Sequence, residues 1–233
     1  MPQHIGIAAC SAEGAALCFR TICLEGEALM GEHWHPEVTM HVHPLGQYME
    51  HLGRGDWPGV ATLMLSSAEK LAAAGADFII CPDNTIHQAF DLVVGKSPRP
   101  WLHIAEVVAT AAKESGYRRL GVLGTRLLME GPVYPAYLER AALEYDLPGL
   151  AERERINEVI FQELVKGVLR TESRAEVRAI IERLGKKGCD AAILGCTELP
   201  LLIEQSDSPL PILDSTRLLA RAALRLAVTV AKL

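Results

Sequence analysis

The feature that most constrains the fold of this 233-residue chain is an internal repeat. Three segments of the first half resemble three segments of the second half, in the same order and about 113 residues apart. The matched pairs are Ile5–Cys10 with Leu120–Thr125, Gly75–Thr85 with Gly188–Glu198, and Ser97–His103 with Ser208–Asp214. One match between apolar strands would carry little weight, but three at nearly constant spacing indicate two structurally similar halves.

Short apolar runs alternate with amphipathic stretches along the chain. The runs predicted as strands are Ile5–Cys10, Val38–His43, Phe78–Pro82, Trp101–His103, Leu120–Gly124, Ala191–Gly195 and Ile212–Leu213. The stretches predicted as helices are Glu13–Leu29, Ala61–Ala74, Ile104–Ser115, Pro135–Tyr145, Ile156–Leu169, Ala175–Lys186 and Ser215–Ala231. The strand candidates are short and apolar at consecutive positions, which is typical of strands buried on both faces of a parallel sheet. The fold class is therefore α/β.

The repeat and the fold class together predict how the chain is organised. We expect two similar α/β halves related by a pseudo-twofold axis, each with a mostly parallel sheet flanked by helices, with the active site between them. The first half is expected to comprise residues 1–103 plus 214–233, and the second half residues 104–213. The helix after Asp214 would correspond to the helix after His103, so each of these helices is predicted to cross to the other half.

Composition excludes several classes of partner. A net charge of −6 argues against nucleic-acid binding, and so does an aromatic content of 5%. No apolar run reaches the ~18 residues of a membrane span. The six cysteines form no Cys-x-x-Cys pair and the first residues lack the regions of a signal peptide, so we expect reduced thiols in a cytoplasmic protein. The pairs His33/His35 and His41/His43 have no evident further ligands, so no metal site is expected.

Two turns lie where parallel α/β sheets bind their ligands, at the carboxyl ends of strands. The repeat aligns Asp83 of the first turn with Cys196 of the second. Both side chains can ionise, and both precede a helix start whose N–H groups can bind an anion. The same field is expected to lower the pKa of the Cys196 thiol and make its thiolate accessible near neutrality. The structural alternatives are a helix cap at Asp83 and an inert small residue at Cys196.

The residues of these turns resemble those of a known family. The second turn reads Gly195-Cys196-Thr197-Glu198, and the first reads Asp83-Asn84-Thr85. They resemble the two motifs of the aspartate/glutamate racemase superfamily, Gly-Cys-Thr-Glu and Cys-Asn-Thr, one in each half. The segments Leu123–Arg126 and Ile156–Leu164 are also similar to bacterial aspartate/glutamate racemases, so the resemblance covers essentially the whole chain.

The resemblance implies a cofactor-independent enzyme, a homodimer, that acts on a small carboxylate or amino-acid substrate. In the family, two cysteines flank the substrate α-carbon. One removes the α-proton as a thiolate, and the other donates a proton from the opposite face. Carried over to this sequence, the catalytic positions are Asp83 and Cys196. The motif residues that the resemblance assigns to substrate binding are Asn84, Thr85, Thr125, Thr197 and Glu198.

The sequence departs from the family at the first catalytic position, where Asp83 replaces a cysteine. Cys81 is a poor substitute, because strand alternation should point its side chain elsewhere. Unperturbed Asp has a pKa near 3.9 and Cys near 8.5, so the resting site would hold a carboxylate and a thiol. Racemisation is then expected to be slower and unequal in the two directions. Two alternatives stay open: a decarboxylase or cis-trans isomerase of a dicarboxylic acid that uses Cys196, and a catalytically silent carboxylate-binding homologue.

The ends of the first two strands also differ from the family pattern. Ser11 follows the first strand in place of a Gly-Gly-Met-Ser turn, and His43 lies where racemases tend to have Ser or Asn. We expect Ser11 and His43 to contact the distal end of the substrate. His87, one helical turn after Asp83, either orients that acid or fills space.

Overall fold

A computed structural model describes residues 2–229 of the chain. Its strands are β1 (Ile5–Ala9), β2 (Val38–Val42), β3 (Phe78–Ile80), β4 (Trp101–Leu102), β5 (Arg119–Leu123), β6 (Glu144–Asp146), β7 (Ala191–Leu194) and β8 (Ile212–Asp214). Its helices are α1 (Ala12–Met30), α2 (Leu45–Leu52), α3 (Trp57–Ala73), α4 (Phe90–Val94), α5 (Ile104–Glu114), α6 (Arg126–Glu130), α7 (Pro135–Arg140), α8 (Leu150–Glu158), α9 (Thr171–Lys186), α10 (Leu199–Leu202) and α11 (Ser215–Thr229). Within residues 2–229, no helix is long and apolar enough to cross a membrane.

The strands form two four-stranded sheets of the same design. One has the order β2-β1-β3-β4 and the other β6-β5-β7-β8, and every strand pair is parallel. The second order is the first with each strand replaced by its equivalent in the repeat. The prediction of two similar α/β halves with parallel sheets flanked by helices is therefore confirmed.

The described residues divide into two compact units. The first contains the residues up to Ile104 and those from Thr216 onward, and the second is Ala105–Ser215. Each break falls one residue inside a helix, α5 or α11, rather than before it as in the predicted boundaries at 103/104 and 213/214. Helix α5 thus follows the last strand of the first unit and belongs to the second, and α11 does the reverse. Residues 1 and 230–233, which the sequence assigned to the first half, lie outside the described residues.

The residues that repeat between the halves have the same structural role in each unit. Gly75 and Gly188 both have a positive φ, 97° and 96°, at the turn that leads into β3 or β7. Asp77 accepts a hydrogen bond from the backbone N–H of His4 at 2.8 Å, just before β1. Asp190 accepts one from Arg118 at 2.7 Å, just before β5. The repeat is therefore visible in the sequence because each unit fixes two neighbouring strands in the same way.

Glycine also recurs within the two central strands, where a helix packs closely. A Cβ at Gly6 of β1 would lie 3.0 Å from the Cβ of Ala76 and 3.3 Å from that of Leu71 on α3. A Cβ at Gly121 of β5 would lie 2.8 Å from Leu184 Cδ1 on α9. The missing side chains allow the helix to approach the sheet, which buries the apolar faces of both.

The structure differs from the sequence prediction at the sheet edges and in several helices, since α2, α4, α6 and α10 were not predicted. The predicted helix Pro135–Tyr145 was wrong beyond Arg140, because Ala142 adopts a positive φ of 58° and the chain then enters β6. The edge strand β2 is partly exposed, not buried on both faces as expected, and β6, which the sequence did not predict, is exposed as well. The segment Ile156–Leu169 was predicted as one helix, but its residues up to Glu158 are the end of α8. A π-helical turn over Val159–Glu163 follows, and then a 3₁₀ turn over Leu164–Lys166.

Candidate active site

Asp83 lies in the turn after β3 and is held by the end of the neighbouring strand. Its side chain is buried, and Oδ2 accepts a hydrogen bond of 2.9 Å from the backbone N–H of Cys10, just past the end of β1. A 3₁₀ turn, Thr85–Ala89, follows, and its N-cap position is Asn84. The Asp83 carboxyl group is thus held between the ends of β1 and β3.

The imidazole of His87 supports the same turn from its buried side. Nδ1 lies 3.0 Å from the backbone oxygen of Asp83, and the backbone N–H of Ile104 points at Nε2 from 3.5 Å. A carbonyl only accepts and an N–H only donates, so a neutral ring with its hydrogen on Nδ1 satisfies both contacts. Burial lowers the pKa of His87 to about 4, which keeps the ring neutral at pH 7. His87 therefore orients the backbone of the turn, not the carboxyl group itself.

The other predicted residues of the first unit lie around this turn. Asn84 is buried and its Nδ2 lies 3.5 Å from the oxygen of Pro82, while Thr85 is half-buried at the first position of the 3₁₀ turn. Cys81 is fully buried, and its thiol donates to the backbone oxygen of Asp83 at 3.8 Å. Burial raises the pKa of Cys81 well above that of free cysteine, with a further contribution from the Asp83 charge.

Ser11 and His43 follow the adjacent strands β1 and β2, at the same edge of the sheet as Asp83. The Ser11 hydroxyl accepts a 3.3 Å hydrogen bond from Gly14 N–H and so caps α1. The ring of His43 packs edge-on against His41, with 4.6 Å between ring centroids. Its Nε2 atom is buried and makes no hydrogen bond to any residue in the described part of the chain. Burial lowers the pKa of His43, which favours a neutral ring.

The second turn, after β7, holds three buried side chains that meet at one oxygen. Cys196, Thr197 and Glu198 are 6%, 3% and 3% exposed. Glu198 Oε2 accepts a hydrogen bond from Cys196 Sγ at 2.9 Å and another from Thr197 Oγ1 at 2.6 Å. The carboxylate acts as acceptor to both neighbours, as an ionised carboxylate does.

The pKa of Cys196 is displaced in the direction opposite to that expected from the sequence. Burial raises it well above the ordinary value, and the charge and hydrogen bond of Glu198 raise it further. Hydrogen bonds from the backbone N–H groups of Glu198 and Leu199 act the other way. The expectation of a thiolate near neutrality was wrong, because α10 is a single short turn and its field is outweighed by burial and a neighbouring carboxylate.

Thr125 follows β5, at the same edge of the second sheet as Cys196. Its hydroxyl accepts a 3.2 Å hydrogen bond from Leu128 N–H and caps α6. Two glycines bring the turns after β5 and β7 together, since the N–H of Gly195 donates to Leu123 O at 2.7 Å. A Cβ on Gly195 would lie 2.9 Å from Leu123 O, and a Cβ on Gly124 would lie 2.9 Å from Gly195 O.

The first unit therefore gathers Ser11, His43, Asp83, Asn84 and Thr85 at one sheet edge, and the second gathers Thr125, Cys196, Thr197 and Glu198. Sequence reasoning missed Cys10, whose backbone anchors Asp83. The signal was present, because the repeat aligns Cys10 with Thr125. Among residues 2–229, no group of three or more His, Cys, Asp or Glu side chains is arranged to hold a metal ion.

Comparisons with known proteins agree with the fold. Residues 24–223 match the profile of the Asp/Glu/hydantoin racemase family. A candidate Asp/Glu racemase from Yersinia pestis has a crystal structure similar to this chain, with a TM-score of 0.86 and 30% identity over 97% of this chain and 99% of the other. An aspartate racemase homologue from Pyrococcus horikoshii OT3 gives a TM-score of 0.81 and 30% identity over the same shares.

A relative of named activity is more distant. The broad-specificity amino-acid racemase RacX of Bacillus subtilis (strain 168) is 24% identical over 162 residues, which are 68% of each chain. The family profile spans most of the sequence, and the structural likeness extends over both sheets. The chain belongs to the Asp/Glu/hydantoin racemase family.

Proposed function

We propose that this protein is a cofactor-independent racemase or epimerase of an acidic amino acid, in which Asp83 and Cys196 transfer the α-proton on opposite faces of the substrate. The observation that carries this proposal is the pair of buried side chains in the two motif turns, one a carboxyl group and the other a thiol. The Asp83 carboxylate is bonded to the N–H of Cys10 and can accept a proton, whereas the Cys196 thiol is hydrogen-bonded to Glu198 and can give one. Family membership supplies the reaction class to which such a pair belongs.

The proposed step moves one proton in and one proton out. Asp83 takes the α-hydrogen, the C–H electron pair passes into the substrate carboxylate as an enediolate, and the S–H bond of Cys196 breaks as its proton goes to the other face of the α-carbon. Positioned proton transfer of this kind contributes about 10²–10⁴ to the rate. We infer from the motifs that Asn84, Thr85, Thr125 and Thr197 hold the α-carboxylate. Ser11 and His43 would meet the distal end of the substrate.

The two directions of this reaction start from different forms of the enzyme. The enantiomer whose α-hydrogen faces Asp83 meets the resting carboxylate–thiol form, and the other enantiomer needs an Asp83 carboxylic acid and a Cys196 thiolate. The equilibrium constant between enantiomers is one, so kcat/KM must be the same for both. The two enantiomers therefore differ in kcat and in KM, and both constants differ by the same factor.

A second candidate function is favoured by one specific observation. Glu198 and burial hold Cys196 as a thiol, and a thiol alone suffices to protonate a carbanion left when a dicarboxylic acid loses carbon dioxide. The cis-trans isomerase alternative would instead need Cys196 to add to the double bond as a thiolate and to leave again after rotation about the resulting single bond. In either reaction Asp83 has no role as a base. A catalytically silent carboxylate-binding homologue is the third possibility, and it has no need of the buried Cys196–Glu198 pair.

The experiment that separates these functions is proton–deuterium exchange. Candidate amino acids and dicarboxylic acids are incubated with the protein in heavy water, and loss of the α-proton is followed by NMR together with chiral analysis. Exchange with formation of the other enantiomer supports the racemase, and release of carbon dioxide supports the decarboxylase. Conversion of an unsaturated diacid into its geometric isomer supports the isomerase, and none of these changes over a broad panel would leave the binding homologue. The homodimer implied by the resemblance is tested by light scattering during gel filtration, and the cytoplasmic location by cell fractionation.

A further inference from the structure

The carboxylate of Glu198 is directed at the sulfur of its own motif. Two donors, Cys196 Sγ at 2.9 Å and Thr197 Oγ1 at 2.6 Å, share the oxygen Oε2. All three side chains are almost completely buried, so water cannot replace either donor easily. The sequence grouped Glu198 with the residues that bind substrate, but its Oε2 atom already accepts a hydrogen bond from the Cys196 thiol.

We propose that Glu198 is a positioning residue for Cys196: its carboxylate keeps the proton on sulfur in the resting enzyme and so reserves the thiol for proton donation. Thr197 fixes the carboxylate in that orientation through the second hydrogen bond. This inference rests on the proposed function for the purpose of the thiol, but the coupling of Glu198 to Cys196 is a property of the protein without substrate.

The groups around the Cys196 sulfur favour the thiol before proton transfer and stabilise the thiolate after it. Before proton transfer, the buried carboxylate favours S–H, because a thiolate beside it would place two negative charges in contact in a poorly solvated site. After transfer, the N–H groups of Glu198 and Leu199 remain bonded to the sulfur and can stabilise the thiolate. Repulsion from Glu198 then favours rapid return of a proton to the sulfur, which restores the resting form.

Glu198→Gln is the direct test, because glutamine keeps the shape and removes the charge. The thiolate of Cys196 is measured by ultraviolet absorbance as a function of pH, as the difference between each protein and the same protein carrying Cys196→Ser. We expect the midpoint in Glu198→Gln to fall by at least one pH unit, which is about a tenfold rise in thiolate at a given pH. Glu163→Gln is the matched control. Glu163 is likewise buried, at 6% exposed, and accepts a 2.6 Å bond from Ser173, but within the described part of the chain it forms no hydrogen bond with Cys196, so the midpoint should not move.

Measurement of the wild-type protein keeps the test decisive if Glu198→Gln does not fold. The inference requires that the Cys196 titration lie above the pKa of free cysteine, about 8.5. A wild-type midpoint at or below that value would overturn it, and so would equal midpoints in folded wild-type and Glu198→Gln proteins. The titration needs no substrate, so absence of racemisation would refute the proposed function and leave the Glu198–Cys196 coupling standing.

Discussion

Asp83→Asn separates a catalytic carboxylate from a structural one. Asparagine keeps an oxygen that can accept the 2.9 Å hydrogen bond from Cys10, so the turn after β3 should persist. The change replaces a charge-assisted bond by a neutral one, a loss of about 1 kcal/mol that should lower Tm by a few degrees in a protein of this size. An amide cannot take the α-proton, so α-proton exchange should fall by about 10²–10⁴.

Asp77→Asn is the matched control for this prediction. Asp77 binds the backbone N–H of His4 at 2.8 Å, so it joins the same two strands at the opposite end of the sheet. It should change stability without changing exchange. Exchange is followed by NMR in heavy water, and folding by circular dichroism and thermal unfolding. Normal exchange in a folded Asp83→Asn protein would refute two-sided proton transfer and leave Cys196 acting alone.

Three further predictions concern the same region. Asp83→Cys restores the thiol pair of the family, so α-proton exchange should be retained or increased. The kcat values of the two enantiomers, measured at saturation, should become more nearly equal, and a larger difference between them would contradict the assigned role of Asp83. Gly195→Ala forces a Cβ to within 2.9 Å of Leu123 O and should cost about 1–3 kcal/mol, seen as a Tm several degrees lower, whereas Gly46→Ala, with no atom within 4 Å, should leave Tm unchanged or raise it. The folded pKa of His87, about 4, lies below its unfolded value of 6.5, so the unfolded state binds more protons between these values and stability should fall by about 3 kcal/mol as pH drops through that window. Urea unfolding at pH 7 and pH 4 should show a smaller loss in His87→Gln; an equal loss would mean that another group titrates.

The sequence predicted the fold best at positions where the structure requires one particular residue type. Gly75 and Gly188 repeat because each takes a positive φ before a buried strand, and Asp77 and Asp190 repeat because each ties that strand to its neighbour. Such residues revealed the two sheets and located their carboxyl edges. They said nothing of β6, a three-residue edge strand whose formation depends on pairing with β5 rather than on its own composition.

The chemistry of the site was harder to predict than its location. The four residues Gly195 to Glu198 identified the turn, but the direction of the Cys196 pKa depends on a side-chain contact. Sequence spacing indicates that Cys196 and Glu198 are close, yet it does not reveal that a carboxylate oxygen lies 2.9 Å from the sulfur. The anchoring of Asp83 by Cys10 likewise depends on strand register across 73 residues of chain.

The course of the chain through its two units has a consequence for protein engineering. The polypeptide passes between the units twice, at Ile104–Ala105 and at Ser215–Thr216. Gln3 N–H donates to Ala227 O at 3.0 Å, so a short peptide could join the two ends of the described chain. A circular permutant opened between His103 and Ala105 would encode the second unit as one continuous segment, followed by the first, with a single covalent crossing. Each unit would then be one continuous segment of sequence, which could be replaced or recombined with the equivalent segment of another member of the family.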